Sequence, residues 1–245
     1  MNLLKSYLLE NYSLGDLAAT LYALENIGRQ KNENIYLQIE GLNSHLYDCF
    51  DFKHIRLGSS KNSLNETLKL NHFDFCKENH CGFFHKKYNF ISVLMNHFVN
   101  FHEYKPSESK PLILKEILKF DKSEKVYAQF DGRTGARQNR DMRQFQKINV
   151  LNKVSNWSCL GGKDTNKYLG EDNIIYELGD INFIVSKLFS SRGFIGCDSG
   201  ISHLAGCLGV ESKIYILGDC FYCLSDYYTS SYRNCKVVRP VIKLI

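Results

Sequence analysis

Residue types that can bind phosphate are concentrated in the stretch FIGCDSGISHLAGCLGV, residues 194–210. An apolar run leads to Asp198, Ser199 and Gly200, and a helix-like run carrying His203 follows. Asp198 or Ser199 can cap that helix by accepting hydrogen bonds from its first N–H groups. The same N–H groups, at the positive end of the helix dipole, suit a phosphate. From the pattern alone, a capped helix with a core histidine and a phosphate site both stay open.

A carboxylate that can move a proton lies in SLGDLAATLYAL, residues 13–24, where a Gly-Asp pair separates a predicted strand from a predicted helix. Asp16 can cap that helix. It can also act as a general base that takes a proton from a hydroxyl in a cleft. Capping is the more common role for a lone Asp at this position.

Basic side chains are concentrated in a Gly-containing loop that follows another predicted strand, QFDGRTGARQNRDMRQF. Its arginines are Arg133, Arg137, Arg140 and Arg143. Guanidinium groups bind phosphate with two hydrogen bonds, and clustering them costs repulsion unless an anion is present. The loop therefore predicts either an anion site or a solvated basic surface.

Two shorter motifs complete the candidates. Gly161 and Gly162 follow a predicted strand, and they form a tight turn or leave room for a nucleotide base or ribose. The pair Cys220 and Cys223 has the spacing of a redox or zinc half-site. No second pair of ligands follows at the spacing that zinc requires, so we expect no metal site.

Composition limits the function classes. The 245 residues are 44% apolar and 23% charged, which is typical of a globular protein. A net charge of +5 is too small for the basic stripe of a nucleic-acid binder, and it suits an anionic small substrate or contact with an anionic membrane face. No apolar run approaches the roughly 20 residues of a membrane span. Lys5 and Glu10 interrupt the N-terminal apolar residues, so we expect no signal peptide and a cytoplasmic protein with free cysteines.

The elements that must position these residues alternate between strand-like and helix-like segments, which predicts an α/β fold with parallel sheets. We expect a helix over 16–28 with Gly28 as its C-cap, a buried helix over 88–104, and a helix over 180–192 with Asp180 as its N-cap. The Pro- and Ser-containing stretch 105–111 is the expected linker between two halves. The sites are expected where strands end at their carboxyl edges.

The residues from 181 to 219 resemble the C-terminal half of the heptosyltransferase-like glycosyltransferases of family 9. That family has the two-Rossmann GT-B fold and builds lipopolysaccharide. In its pattern a buried strand leads to Asp-Ser/Thr-Gly, then to His-Leu-Ala after two residues, then to a small-residue helix. The positions that fill this pattern here are Asp198, Ser199, Gly200, His203, Leu204, Ala205 and Gly209. SCLGG and SLGDLAATLYAL also look like segments of the family.

The resemblance implies two Rossmann-like domains in a compact GT-B arrangement with a shortened N-terminal domain. Residues 1–110 would bind the acceptor and residues 111–245 the nucleotide-sugar donor. Asp16 matches the family's base for the acceptor hydroxyl. The residues that the resemblance assigns to donor binding are Arg133, Arg137, Arg140, Gly161, Gly162, Asp198, Ser199, Gly200 and His203. Neither a metal nor a cofactor is expected, because the helix dipole and cationic side chains stabilise the departing diphosphate.

The expected function is that of an inverting, metal-independent glycosyltransferase in surface polysaccharide or lipopolysaccharide synthesis. Its partners would be a nucleotide-sugar donor and a saccharide or glycolipid acceptor, not nucleic acid. We expect it in the cytoplasm, at the inner face of the cytoplasmic membrane. Two alternatives stay open: a fucosyltransferase-like enzyme with a guanosine diphosphate donor, and a non-catalytic protein that binds nucleotide sugars.

Overall fold

The computed structural model describes residues 6–10, 12–41, 43–58, 67–71, 90–129, 155–162, 175–216 and 231–238. Its helices are α1 (Leu14–Lys31), α2 (Phe90–His102), α3 (Ile181–Ser190) and α4 (Gly200–Cys207). The strands of the first half are β1 (Ser6–Glu10), β2 (Ile35–Glu40), β3 (Ile55–Leu57) and β4 (Thr67–Asn71). Those of the second half are β5 (Val126–Gln129), β6 (Trp157–Gly162), β7 (Tyr176–Gly179), β8 (Gly193–Cys197), β9 (Ser212–Tyr215) and β10 (Cys235–Val238).

The first four strands form one sheet in the order β3-β2-β1-β4. All of its pairings are parallel, and Leu9 of β1 is opposite Ile39 of β2 and Leu70 of β4. The chain leaves β1 through α1 toward β2 on one side, whereas β4 lies on the other side. Such a reversal opens a crevice at the carboxyl end of the central strand, and α1 begins at that end.

The other six strands form a second parallel sheet in the order β10-β9-β8-β5-β6-β7. If β5 is counted as the first strand of this sheet, the order is 6-5-4-1-2-3. This is the Rossmann order, in which the direction of the strand sequence reverses between the first and the fourth strand. The reversal here lies between β5 and β8, and α4 begins directly after β8. The predicted α/β class with parallel sheets is confirmed.

Helix α1 runs through the middle of the molecule. Ser13 caps its start, and Asn32 ends it in the left-handed conformation at φ 54°. Every residue from Leu17 to Gly28 is buried, because α1 packs against the first sheet, α2 and α4. The predicted C-cap at Gly28 is wrong. A Cβ at Gly28 would lie 2.5 Å from the Cβ of His54, so the glycine lies within the helix and allows His54 to pack closely against it.

A continuous hydrophobic core joins the two sheets. It includes Tyr7 of β1, Leu24 of α1, Leu204 of α4 and Ile214 of β9. The stretch predicted as a linker is tied to this body, because Asn26 of α1 bonds both the N–H and the C=O of Lys110, at 2.8 and 3.1 Å. The division of the chain at residue 110 stays a prediction. None of the described helices is long and apolar enough to cross a membrane.

Candidate functional site

The segment between β8 and α4 forms a helix start at the reversal point of the second sheet. Ser199 is the N-cap, and its Oγ accepts a hydrogen bond from the Ser202 N–H at 3.3 Å. The Ser202 hydroxyl donates in turn to the carbonyl of Cys197, which ties the cap to the end of β8. The first N–H groups of α4, those of Gly200 and Ile201, have no acceptor within their own helix. N–H groups of this kind, at the positive end of a helix dipole, are the groups that bind anions in proteins, so the geometry is compatible with the predicted phosphate site.

His203 connects this helix start to the core. Its ring is buried, with Nε2 at 3.4 Å from Oδ1 of Asp198 and Nδ1 at 3.3 Å from the hydroxyl of Tyr232. The Asp198 side chain is 26% exposed, whereas that of His203 is only 4% exposed. The histidine is therefore a buried support of the Asp198 carboxylate. No motif pointed to Tyr232, since it lies 29 positions after His203 in the sequence.

Asp16 lies in the first turn of α1 and is half-buried. It forms a reciprocal pair with the N-cap: its N–H donates to Oγ of Ser13 at 3.3 Å, and the Ser13 hydroxyl donates to its Oδ2 at 2.7 Å. This arrangement is related to a capping box. The carboxylate thus stabilises the helix start while part of it faces solvent. The N-cap of α1 is Ser13 and not Asp16, which lies one turn further on and supports that cap. The general-base role of Asp16 stays a prediction.

The starts of α1 and α4 meet at two glycines. A Cβ at Gly15 would lie 2.9 Å from the His203 ring and 3.1 Å from Cα of Gly200. A Cβ at Gly200 would lie 3.1 Å from the backbone nitrogen of Gly15 and equally close to Cβ of Leu14. Carbon atoms that are not bonded prefer separations of about 3.5–4.0 Å, so a larger residue at either position would push the helices apart. This contact brings Asp16 to the same edge as Ser199 and Gly200.

Gly161 and Gly162 end β6, the strand next to β5 on the side away from β8. Gly161 is buried and Gly162 is half-buried. Among the described residues, a Cβ built at Gly162 meets nothing within 4 Å, so packing against them does not require a glycine there. The open space is compatible with a ligand that approaches the backbone closely.

The remaining predicted site residues lie outside the described part of the chain. They are Arg133, Arg137 and Arg140, together with Arg143 and the pair Cys220 and Cys223. Of the predicted residues that the structure describes, those brought to one edge are Asp16, Asp198, Ser199, Gly200 and His203. Gly15 and Tyr232 join that group, and only Gly15 had a signal, as the neighbour of Asp16 in the Gly-Asp pair.

Comparison with known proteins gives structural neighbours only. No family model matches the chain, and no curated protein matches its sequence. A glycosyl transferase family 9 protein from Veillonella parvula DSM 2008 superposes at a TM-score of 0.55 with 12% identity, over 100% of this chain and 90% of that one. The Escherichia coli heptosyltransferase WaaC, solved with ADP, superposes at 0.51 with 9% identity, over 92% and 99% of the two chains.

A further neighbour is the dodecameric iron-containing glycosyltransferase TibC of enterotoxigenic Escherichia coli H10407. It matches at a TM-score of 0.52 with 14% identity, over 86% of this chain but only 58% of TibC. The same protein has been solved with ADP-D-β-D-heptose. No counterpart of the iron fits the described residues, since they hold no group of three His, Cys, Asp or Glu side chains that could bind a metal ion. This chain therefore has the fold of the family 9 glycosyltransferase structures.

Proposed function

We propose that the protein is an inverting, metal-independent glycosyltransferase that moves a sugar from a nucleoside diphosphate donor to a saccharide acceptor. The main observation in support of this proposal is that the first turns of α1 and α4 are in close contact at Gly15 and Gly200. It places a carboxylate, Asp16, beside a phosphate-compatible helix start at the carboxyl edge of a Rossmann sheet. The fold neighbours support the donor class, because WaaC was solved with ADP and TibC with ADP-D-β-D-heptose.

The donor lies across the carboxyl edge of the second sheet in this proposal. Its diphosphate accepts hydrogen bonds from the first N–H groups of α4, beside the Ser199 cap, and Gly200 lets the phosphate come close to the backbone. Asp198 contacts the sugar, with His203 lining the same pocket behind it. Gly161 and Gly162 border the nucleotide where β6 ends.

The reaction follows from this placement. The Asp16 carboxylate takes the proton of an acceptor hydroxyl as that oxygen attacks the anomeric carbon of the donor sugar. The bond between the anomeric carbon and the diphosphate oxygen breaks on the opposite side, and the nucleoside diphosphate leaves with the electron pair. Attack opposite to the leaving group inverts the anomeric centre. The helix dipole, with Arg133, Arg137 and Arg140, stabilises the charge on the departing group.

The proposed biological setting is the synthesis of surface polysaccharide or lipopolysaccharide at the inner face of the cytoplasmic membrane. It rests on the fold neighbours, among which is the Escherichia coli ADP-heptose lipopolysaccharide heptosyltransferase II. The net charge of +5 suits both a nucleotide-sugar donor and an anionic membrane face.

One observation favours a second candidate, a non-catalytic protein that binds nucleotide sugars. The Asp16 carboxylate already accepts a hydrogen bond from the Ser13 hydroxyl at 2.7 Å, as expected of a residue that supports the Ser13 cap of α1. Under this alternative the donor site at α4 is intact and no sugar transfer takes place.

The test begins with the donor. Thermal unfolding is measured with ADP, GDP and UDP, because a ligand that binds only the folded state raises the melting temperature. A rise with ADP or with a second nucleoside diphosphate supports the site, and a preference for GDP supports the fucosyltransferase-like alternative. The absence of any rise, confirmed by calorimetry, would contradict a nucleotide site.

Asp16→Asn then distinguishes the role of Asp16 as general base from its role in supporting the Ser13 cap. The amide oxygen still accepts a hydrogen bond from the Ser13 hydroxyl, but the amide cannot take a proton from the acceptor. We expect sugar transfer to fall by about 10²–10⁴-fold, with donor affinity within about twofold of the wild type. Ser13→Ala is the matched control. It removes the cap and lowers the melting temperature while the carboxylate stays, so most of the transfer activity is retained. Full transfer activity in Asp16→Asn would exclude Asp16 as the base.

A further inference from the structure

Tyr232 is a buried residue outside every motif of the sequence, just before β10. Its ring meets the edge of Tyr22 of α1 with centroids 5.2 Å apart. Gly206 of α4 leaves room for it, because a Cβ there would lie 2.5 Å from the ring. The Tyr22 hydroxyl also donates to the carbonyl of Ser231 at 2.7 Å. Tyr232 is therefore held by both helices that form the candidate site.

The Tyr232 hydroxyl faces the ring of His203. The distance to Nδ1 is 3.3 Å, while Nε2 on the far side of the ring lies 3.4 Å from Oδ1 of Asp198. A carboxylate accepts hydrogen bonds and cannot donate them. The neutral imidazole has a single N–H, so contact with Asp198 favours the tautomer with the proton on Nε2. Nδ1 is then an acceptor, and the tyrosine hydroxyl is the donor that suits it.

We propose that Tyr232 is a positioning residue, which holds His203 in the Nε2–H tautomer so that His203 holds the Asp198 carboxylate at the mouth of the site. The three side chains form a line of polar contacts from the core to the carboxyl edge of β8, with a hydrogen bond between Tyr232 and His203 and a 3.4 Å contact between Nε2 of His203 and Oδ1 of Asp198. When one ring nitrogen of a histidine supports a functional group, the hydrogen-bond partner of the other ring nitrogen fixes the orientation and the tautomer of the ring. The consequence for ligand binding rests on the proposed function, in which Asp198 contacts the donor sugar.

The first measurement uses the wild-type protein without any ligand. Long-range ¹H–¹⁵N NMR spectra of protein labelled at its eight histidines report the tautomer of each ring, and His203→Gln assigns the signal. We expect His203 to carry its proton on Nε2. Tyr232→Phe keeps the ring and deletes only the hydroxyl, and we expect the His203 signals to move toward mixed tautomers. The matched control is Tyr104→Phe, which loses one buried hydrogen bond to Ser109 and leaves His203 unchanged.

The second measurement is donor affinity. We expect Tyr232→Phe to weaken binding of ADP-D-β-D-heptose by about three- to tenfold, as for loss of the hydrogen bond to His203, and to leave ADP within about twofold. The Cys207 thiol, which donates to the Tyr232 hydroxyl at 3.7 Å, keeps the Ala18 carbonyl as an acceptor at 3.4 Å. A proton on Nδ1 in the wild type, or identical His203 signals in Tyr232→Phe, would overturn the proposal. Equal weakening of both ligands would also overturn it. If the wild type bound neither ligand, an adenosine diphosphate donor would be excluded, while the NMR result still decided the role of Tyr232.

Discussion

Glu25 provides the sharpest test of how α1 is fixed in the fold. It lies in the middle of the helix, is 3% exposed, and accepts three backbone hydrogen bonds from the turn before β3 and from the first residue of β3. The N–H of Lys53 donates to Oε1 at 3.1 Å, and those of His54 and Ile55 donate to Oε2 at 3.0 and 3.2 Å. Glu25→Ala leaves these donors without their acceptor.

The stability that Glu25→Ala loses can be estimated for each of the three donors in turn. A buried donor left unsatisfied costs about 1–3 kcal/mol. Lys53 is exposed, so water can hydrate its N–H, whereas Ile55 is buried and His54 half-buried. Two costly donors give a loss of about 3 kcal/mol in the free energy of unfolding. For a chain of this size, that corresponds to a fall of about 6–12 °C in melting temperature.

The assay is urea and thermal unfolding of three variants. Glu25→Gln keeps one carbonyl oxygen, which can serve His54 and Ile55, so we expect a loss of only about 1 kcal/mol. Glu124→Ala is the surface control, since its side chain is 84% exposed, and its change should stay within about 0.5 kcal/mol. The reasoning is refuted if Glu25→Ala costs less than about 1 kcal/mol, or if the Gln and Ala variants are equally unstable.

Three further predictions concern the site and its support. Gly15→Ala places a Cβ 2.9 Å from the His203 ring, so α1 must move by about half an ångström. We expect sugar transfer to fall about tenfold, with an unchanged circular dichroism spectrum. Wild-type turnover in this variant would show that the close contact is not needed. A Cβ at Gly162 meets none of the described residues within 4 Å, so the melting temperature of Gly162→Ala should not change while its affinity for ADP drops. Equal affinity would remove Gly162 from the donor site. Burial alone would raise the pKa of Glu177, but hydrogen bonds from Lys125, Lys187 and Tyr127 together lower it below the ordinary 4.5. A group whose pKa is lowered by folding stabilises the protein at pH values above its ordinary pKa, and that stability is lost as the pH falls through the folded-state pKa. Glu177→Gln should therefore destabilise the protein at pH 7 and much less at pH 3. Urea unfolding measures both differences, and equal losses of stability at the two pH values would contradict this.

Local features were predictable because their causes lie within a few residues of each other. Asp180 caps α3 as expected, with Oδ1 accepting from the Phe183 N–H at 2.9 Å. Gly200 to Cys207 forms the predicted helix after a short buried strand. Alternation of such segments is enough to predict parallel sheets, since parallel strands need crossover helices.

The wrong prediction at Gly28 arose because a local signal had a tertiary explanation. Gly28 was expected to end α1, but the helix continues to Lys31 because Gly28 makes room for His54 and Asn32 takes the left-handed cap. The stretch before residue 111 has the composition of a linker; Asn26 holds it against α1 through Lys110, and the division of the chain at residue 110 stays a prediction.

The sequence by itself determined the element types, the starts of α3 and α4, and the candidate groups Asp16 and Asp198 to Gly200, because capping and backbone preferences act between near neighbours. Only the tertiary structure decided that the start of α1 meets the start of α4, that Glu25 serves the turn before β3, and that Tyr232 faces His203. Each of these contacts joins residues far apart in the chain. Many partners are compatible with any one of these residues, and the packing of both sheets around α1 selects among them.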